Sequence, residues 1–294
     1  MDRRTLLGFV LALLASFGAN IPRAGARDVS PTLEAFTVGT GPPLVMLGGG
    51  TLGAAEFEPH AQELASHRRV IRLQTLNIST AQAHARLPAD YSIDMESDAM
   101  LRSIESLGLQ APFDLVGHSL GALVALDFAL DHPERIHTLV LAEPPAFWVI
   151  SSDERRAMAD LRAMEDITRT LVPTSEPTDE QFIRFQCALG NCGAQLPAAG
   201  SAELERWIAR RSSLRGLSAV ANHSDDAGRL RAFTRPVLIV TGKSTVAFHR
   251  RVNDLLASNL PGAERAELPG GHSAPWTARA EFISSIESFF ARHP

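Results

Sequence analysis

The chain has 294 residues, 45% of them hydrophobic and 21% charged, proportions of an ordinary globular protein able to bury a core of its own. A formal net charge of −5, without any basic run, argues against nucleic acid as a partner. No internal repeat or low-complexity tract stands out.

Residues 1–26 read as a unit apart. Arg3-Arg4 is followed by an apolar run from Leu6 to Phe17 and by Ala24-Gly25-Ala26. A charged start, an apolar stretch and a small-residue site predict a secretory signal peptide cleaved after Ala26. The run is shorter than the roughly 20 residues of a membrane span, so no stable membrane insertion is expected after cleavage. The paired arginines followed by Thr5-Leu6-Leu7 look like a twin-arginine export signal, and general secretion fits the same features. The expected location is periplasmic or secreted. No cysteine stands at the end of the apolar run, so lipid anchoring is not expected.

Beyond the signal, short apolar runs alternate with helical patterns, as in a mostly parallel, doubly wound sheet covered by helices. Leu44–Leu47 reads as a strand ending in Gly48-Gly49-Gly50, Glu58–Ser66 as a helix and Val70–Leu73 as a strand. Ser92 is placed to cap a helix over Ile93–Leu107, with Gly108 as its stop. Phe113–Val116 is the next strand, Ala122–Leu130 a helix apolar throughout, and Thr138–Leu141 a further strand ending at Glu143-Pro144-Pro145. The rhythm then changes. Residues 146–232 hold no convincing strand but several amphipathic stretches, which predicts a helical lid inserted into a core of residues 27–145 and 233–294. Alternation resumes with the strand Val237–Val240, a helix over Ala247–Leu260, a short strand near Ala263–Leu268 and a last helix over Ala278–Arg292. Cys187 and Cys192 are the only cysteines. Five residues of regular helix would hold them too far apart for a disulfide. Gly190 and Asn191 between them could break the helix, so both the bonded and the free states stay open.

Gly117-His118-Ser119-Leu120-Gly121 joins a strand to a helix. A strand that turns abruptly into a helix at a serine strains its backbone there, and flanking glycines remove the Cβ atoms that would clash. The turn lifts the serine hydroxyl to the carboxyl edge of the sheet and sets the following N–H groups at a helix N-terminus, where negative charge is stabilised. Such a serine needs a base beside it. Ten histidines are available; His118 is adjacent in sequence, would point away on a tight turn, and reads as packing behind the elbow.

With this elbow, the glycine loop, the strand order and a late Gly271-His272 pair, nearly the whole chain after the signal resembles the α/β-hydrolase family. The resemblance implies that His272, in the loop before the last helix, is the base. The commonest family pattern places an aspartate after the seventh strand, but that loop here reads Thr241-Gly242-Lys243-Ser244-Thr245-Val246. Thr245 stands where the aspartate would be and cannot balance an imidazolium. Glu143, at the end of the sixth strand and 24 residues after Ser119, should share the cleft at the carboxyl edge of the sheet. It is the expected acid, in a layout resembling zearalenone lactone hydrolases. Asp225 and Asp226 lie before the seventh strand, on the opposite edge.

Oxyanion donors are expected from the N–H groups of Leu120, just after the nucleophile, and Gly50. The family usually carries His-Gly at Gly48-Gly49, and loss of that histidine predicts a looser loop. Phe147, Trp148, Phe185 and Trp207 are placed to line a substrate pocket in the lid, with gluing the lid to the sheet as the alternative; Phe182 lies nearby. Because the elbow carries serine rather than the aspartate of haloalkane dehalogenases and epoxide hydrolases, the expected activity is hydrolysis of a small-molecule ester or lactone through an acyl-enzyme. C–C bond or perhydrolase chemistry, or ligand binding without turnover, are the alternatives. No metal constellation is evident and no cofactor is expected.

Overall fold

The computed structural model describes residues 31–192 and 197–294; the predicted signal peptide lies outside them. Seven strands make one sheet: β1 (Glu34–Val38), β2 (Pro43–Leu47), β3 (Arg69–Gln74), β4 (Phe113–His118), β5 (Ile136–Ala142), β6 (Val237–Gly242) and β7 (Glu264–Leu268), in the order β1-β3-β2-β4-β5-β6-β7. Only β1 runs antiparallel, against β3; the other pairings are parallel. β5 and β6 are the strands expected as the family's sixth and seventh.

Side chains alternate between the two faces of the sheet, so each central strand feeds two cores. Val45, Leu47, Leu115, Leu139 and Leu141 join Met100, Ile104 and Leu123 on one side. Leu44, Met46, Val116, Val140 and Leu238 join Phe57, Phe282 and Phe289 on the other. β4 is buried along its whole length, as a parallel strand covered on both faces must be. From β2 the chain passes to β3 on one side and returns to β4 on the other. This reversal opens a crevice at the carboxyl ends of β2 and β4, the place where open α/β sheets hold ligands.

Local chemistry sets the element ends. The Ser92 hydroxyl accepts from the Met95 N–H (3.2 Å) at the start of the helix Ile93–Ser106, and Gly108 follows at φ +59°. β1 and the helix Leu76–Gln82 had no legible signal. β1 is mostly exposed and lacks an apolar alternation. The helix Leu76–Gln82 is rich in Asn, Ser and Thr, poor helix formers that its tertiary contacts override.

Between β5 and β6 the described residues form helices and turns and no strand. The helix Ala159–Arg169 buries Leu161, Met164 and Ile167. Its Asp160 accepts from the Phe248 N–H (3.0 Å), tying this segment to the helix Ala247–Asn259. Cys187 and Cys192 form a disulfide with Cα atoms 4.6 Å apart. The helix Asp179–Ala188 ends between them, and Gly190 at φ +84° turns the chain back. No described helix is long and apolar enough to cross a membrane.

The helix after the elbow approaches β2 so closely that a Cβ on Gly121 would lie 2.4 Å from the Leu47 carbonyl oxygen and 2.5 Å from that of Gly48. Backbone cannot retreat there without moving the sheet. Gly121→Ala is therefore expected to lose about 1–3 kcal/mol of stability, as overpacked cores do, read as a lowered denaturant midpoint. An unchanged midpoint would contradict this approach.

Candidate active site

Ser119 occupies the turn between β4 and the helix Leu120–Asp131 with φ +51° and ψ −123°, a region that side chains rarely adopt and that stores strain. The turn persists because Ser119 N–H donates to the Ala142 carbonyl (2.9 Å) and the Ala122 N–H bonds back to Ser119 (2.9 Å). A Cβ on Gly117 would meet the Ala122 Cα at 2.5 Å. The strain lifts the hydroxyl into the crevice, where Ser119 Oγ lies 3.0 Å from His272 Nε2.

His272 is buried, in the loop after β7. Its Nδ1 faces Glu143 Oε2 at 3.5 Å, an ion-pair contact longer than a tight hydrogen bond. Glu143 is wholly buried and follows β5 at φ +52°, a left-handed turn that aims its side chain across the end of β6. There Gly242 N–H donates to Oε1 (2.8 Å) and the Thr245 hydroxyl to Oε2 (2.5 Å). Burial by itself would raise this carboxyl. The His272 contact, the neighbouring His249 and the Thr245 hydroxyl outweigh it and bring the group down to about 2. Burial also lowers His272 below the ordinary imidazole value of 6.5, only partly countered by Glu143. A neutral imidazole beside an ionised carboxylate, with a serine on its other nitrogen, can take the serine proton and share the resulting charge.

Thr245, given no part by the sequence reading, thus occupies the position where an aspartate was expected and holds the glutamate that replaces it. His249 was missed altogether. It stacks on His272 with ring centroids 4.5 Å apart, and its Nδ1 lies 3.9 Å from Glu143 Oε2. Burial, then the adjacent His272, push it down to about 3, so it stays neutral and screens the pair from water.

The loop after β2 passes beside Ser119. Among the described residues, neither the Gly50 N–H nor the Leu120 N–H has an acceptor, and a Cβ on Gly50 would lie 3.0 Å from the Leu120 side chain. The expectation of a loose loop is corrected: a Cβ on Gly48 would lie 2.0 Å from the Gly53 carbonyl oxygen, so no histidine fits there, and other residues do the holding. Glu56 accepts from the Gly49 N–H (2.6 Å), Gln74 from the Ala54 N–H (2.7 Å), and Asn77 donates to the Gly50 carbonyl (3.1 Å). Asn77 also accepts from the Gly216 N–H (3.2 Å), joining this loop to the segment above it. His118 does more than pack behind the elbow, since it pairs with Glu56 and donates to the His272 carbonyl (2.9 Å).

Two cavities meet at Ser119. One, of about 70 Å³, is lined by Gly50, His118, Ser119, Phe185, His272 and Trp276, among others. The second, of about 20 Å³, is lined by Pro145, Phe147, Met164, Phe185, Leu217 and His249, among others. Of the four aromatics placed in the lid pocket, Phe147 and Phe185 line a cavity together with Ser119. Trp148 and Trp207 line neither cavity and pack against the core, so for them the gluing alternative holds. Trp276, 49% exposed at the cavity mouth, was missed; its place four residues after His272 was the available signal. Asp225 and Asp226 serve elsewhere, pairing with Arg229 and capping the helix Ala227–Ala232. The ligand atoms of Glu143, His249 and His272 lie within 4.8 Å of one another, as do those of Asp94, Asp127 and His223. In the first set, Glu143 and His272 already hold Gly242, Thr245 and Ser119.

Comparison with known proteins gives a consistent picture. The family profile of the alpha/beta hydrolase fold matches residues 42–278. RutD of Klebsiella pneumoniae strain 342, named as a candidate carbamate hydrolase, is 28% identical over 238 residues, covering 79% of this chain and 85% of its own. A pimeloyl-[acyl-carrier protein] methyl ester esterase of Aeromonas salmonicida is 26% identical over 269 residues, 89% of this chain and 99% of its own. Among solved structures, a thermophilic esterase from Thermogutta terrifontis superposes with a TM-score of 0.67 at 20% identity, covering 89% of this chain and 94% of that one. With four-fifths of its length matched by the family profile and the strand order of an open parallel sheet, the chain belongs to the α/β-hydrolase-fold family.

Proposed function

We propose that the protein is a serine hydrolase that cleaves a small carboxylic ester or lactone through an acyl-enzyme. The observation that carries this reading is the continuous line from Ser119 Oγ to His272 Nε2 (3.0 Å) and from His272 Nδ1 to Glu143 (3.5 Å). Ser119 attacks the carbonyl carbon while His272 Nε2 takes its proton. Glu143 faces the resulting imidazolium. The oxyanion is received by the N–H groups of Gly50 and Leu120, each such donor being worth roughly 3–4 kcal/mol. Collapse expels the alcohol, which takes the proton back from His272, and water activated by the same imidazole releases the acid. A relative named as a methyl ester esterase supports an ester as the bond cleaved. The apolar lining of the inner cavity and its small volume support a short apolar group on the acyl side. The acid after β5 resembles the layout of zearalenone lactone hydrolases.

A fluorophosphonate probe is expected to label Ser119 in the native protein and to leave the Ser119→Ala protein unmarked; failure to label the folded wild type would overturn the reading. A panel of short esters, lactones and vinylogous C–C substrates then identifies the bond, with esters or lactones expected to turn over and exclusive C–C cleavage pointing to the alternative chemistry.

Glu143→Gln keeps shape and removes charge, and is expected to lower kcat by about a thousandfold or more. Thr245→Ala removes one hydrogen bond to the carboxylate and is expected to lower kcat by about tenfold. Equal turnover by the glutamine variant would sink the assignment. In the wild type, kcat/KM should rise with pH as His272 loses its proton, with a midpoint below 6.5 because burial depresses this imidazole. Glu143, at about 2, stays ionised throughout that rise. A midpoint above 6.5 would contradict the buried environment of the base.

We further propose export through the first 26 residues. Expressed in a bacterium with both export routes, the chain is expected in the periplasm or medium with Arg27 as its first residue. Cytoplasmic retention of the unprocessed chain would refute export, and block by Arg3→Lys/Arg4→Lys would identify the twin-arginine route.

A further inference from the structure

Behind the nucleophile lies a second buried acid–histidine pair that the mechanism above does not use. Glu56 is 6% exposed and His118 likewise 6%, and both line the catalytic cavity. Glu56 comes from the 3₁₀ turn Gly53–Phe57, His118 from the last position of β4. Glu56 Oε2 accepts from Gly49 N–H (2.6 Å) and Oε1 is in ion-pair contact with His118 Nδ1. His118 Nε2 lies 2.9 Å from the carbonyl oxygen of His272.

The proton inventory of this pair is constrained. A carbonyl oxygen can only accept, so His118 Nε2 carries a hydrogen. Its Nδ1 faces a carboxylate oxygen, so one more proton lies between them. An imidazole is more basic than a carboxylate by about two pKa units, and the Gly49 N–H bond favours the ionised carboxylate further. The extra proton therefore sits on His118. The result is a buried imidazolium whose ring centroid is 4.9 Å from that of the base.

We propose that Glu56 and His118 are positioning residues that act as one ion pair, clamping the oxyanion loop to the loop that carries His272. The clamp reaches from Gly49, next to the Gly50 donor, through the elbow, to the backbone of His272. No covalent step is involved. The charged and titratable groups facing His272 are Glu143, His249, His118 and Glu56. Glu143 favours its protonated form and His249 is neutral. His118 carries the closer positive charge of the second pair, and its effect in lowering His272 exceeds that of Glu56 in raising it. His118 itself faces Glu56, His272 and Glu143; burial opposes its charged form, but Glu56, the His272 carbonyl and Glu143 outweigh it and raise the group above the ordinary imidazole value.

This inference rests on the serine-hydrolase reading for its kinetic part, and its test separates the two. Glu56→Gln is nearly isosteric: the amide can still accept from Gly49 and donate to a neutral His118, so the contacts remain while the charges vanish. With the best ester from the panel, kcat is expected to fall about tenfold with KM held within about twofold, because neutral hydrogen bonds hold the two loops less firmly than charge-assisted ones and a slight loosening of the machinery costs rate. The acid limb of kcat/KM is expected to move up by about half a pH unit. His118→Asn should shift the limb in the same direction, and the double variant should lose no more than the worse single one, because the two groups act as a unit. Nitrogen NMR of the wild type at about pH 8, above the ordinary imidazole range, should show one ring protonated at both nitrogens, absent in His118→Asn and neutral in Glu56→Gln. A neutral ring at that pH overturns the ion pair. Unchanged kcat and pH profile in Glu56→Gln, or additive losses in the double variant, overturn the positioning role. If instead the wild type and Ser119→Ala turn over esters equally, the hydrolase reading fails, while the NMR result still decides the ion pair.

Discussion

The site is organised around the buried negative charge of Glu143. Removing a carboxylate from water costs several kcal/mol even after the surrounding protein relaxes, and Glu143 is fully buried. The fold offsets that cost with local donors. The Gly242 N–H at the end of β6 and the Thr245 hydroxyl just beyond it give two hydrogen bonds, and bonds to an ionised group are worth about 1.5–3 kcal/mol each. His272 supplies the remaining partner. Packing His249 as a neutral ring against His272 adds no second cation and keeps the neighbourhood dry. A carboxylate so held favours protonation of the imidazole it faces, which is what the proposed role of His272 requires.

The same economy governs the backbone around the serine. Ser119 and Glu143 both sit at positive φ, at +51° and +52°, each in the first residue beyond the end of a central strand. Neighbouring parallel strands in register, with His118 opposite Ala142, bring these two turns side by side. The Ser119 N–H bond to the Ala142 carbonyl locks one turn to the other (2.9 Å). Strain at both positions is sustained by the buried sheet beneath, and it lifts the two functional side chains to one edge.

What was legible in the sequence was what a single segment dictates by itself. The elbow could be read because a serine between strand and helix needs Gly117 and Gly121 to turn at all, and the close approaches at both positions give the reason. The alternating core was legible from short apolar runs, and Ser92 and Gly108 from cap chemistry. Groups that matter through distant partners were not. Thr245 reads as a missing acid until a carboxylate reaches it from β5. Glu56 sits in a short 3₁₀ turn without any motif, and its meaning comes from Gly49 and His118. Gly48 reads as a lost histidine, whereas the Gly53 carbonyl leaves room for nothing larger. Trp148 and Trp207 shared the aromatic character of Phe147 and Phe185, and only the path of the chain separates the pair at the cavity from the pair in the core.

The position of the acid has a structural consequence for the segment above the site. β5 and β6 are paired with Ala142 opposite Val240, so a carboxylate leaving either strand reaches the same point beside His272. A glutamate, longer by one methylene than aspartate, spans the gap from the β5 side. On that side the acid is followed at once by Pro144-Pro145 and Phe147, and Pro145 and Phe147 wall the apolar cavity against Ser119. Charge and cavity wall therefore belong to one short stretch of backbone. Placed after β6, the acid would belong to a different loop from that wall. With Glu143 in place, a rearrangement of the first turn above the site is felt at the carboxylate through four covalently linked residues, two of them prolines of fixed φ, so the shape of the apolar cavity and the geometry of the Glu143–His272 pair are set together.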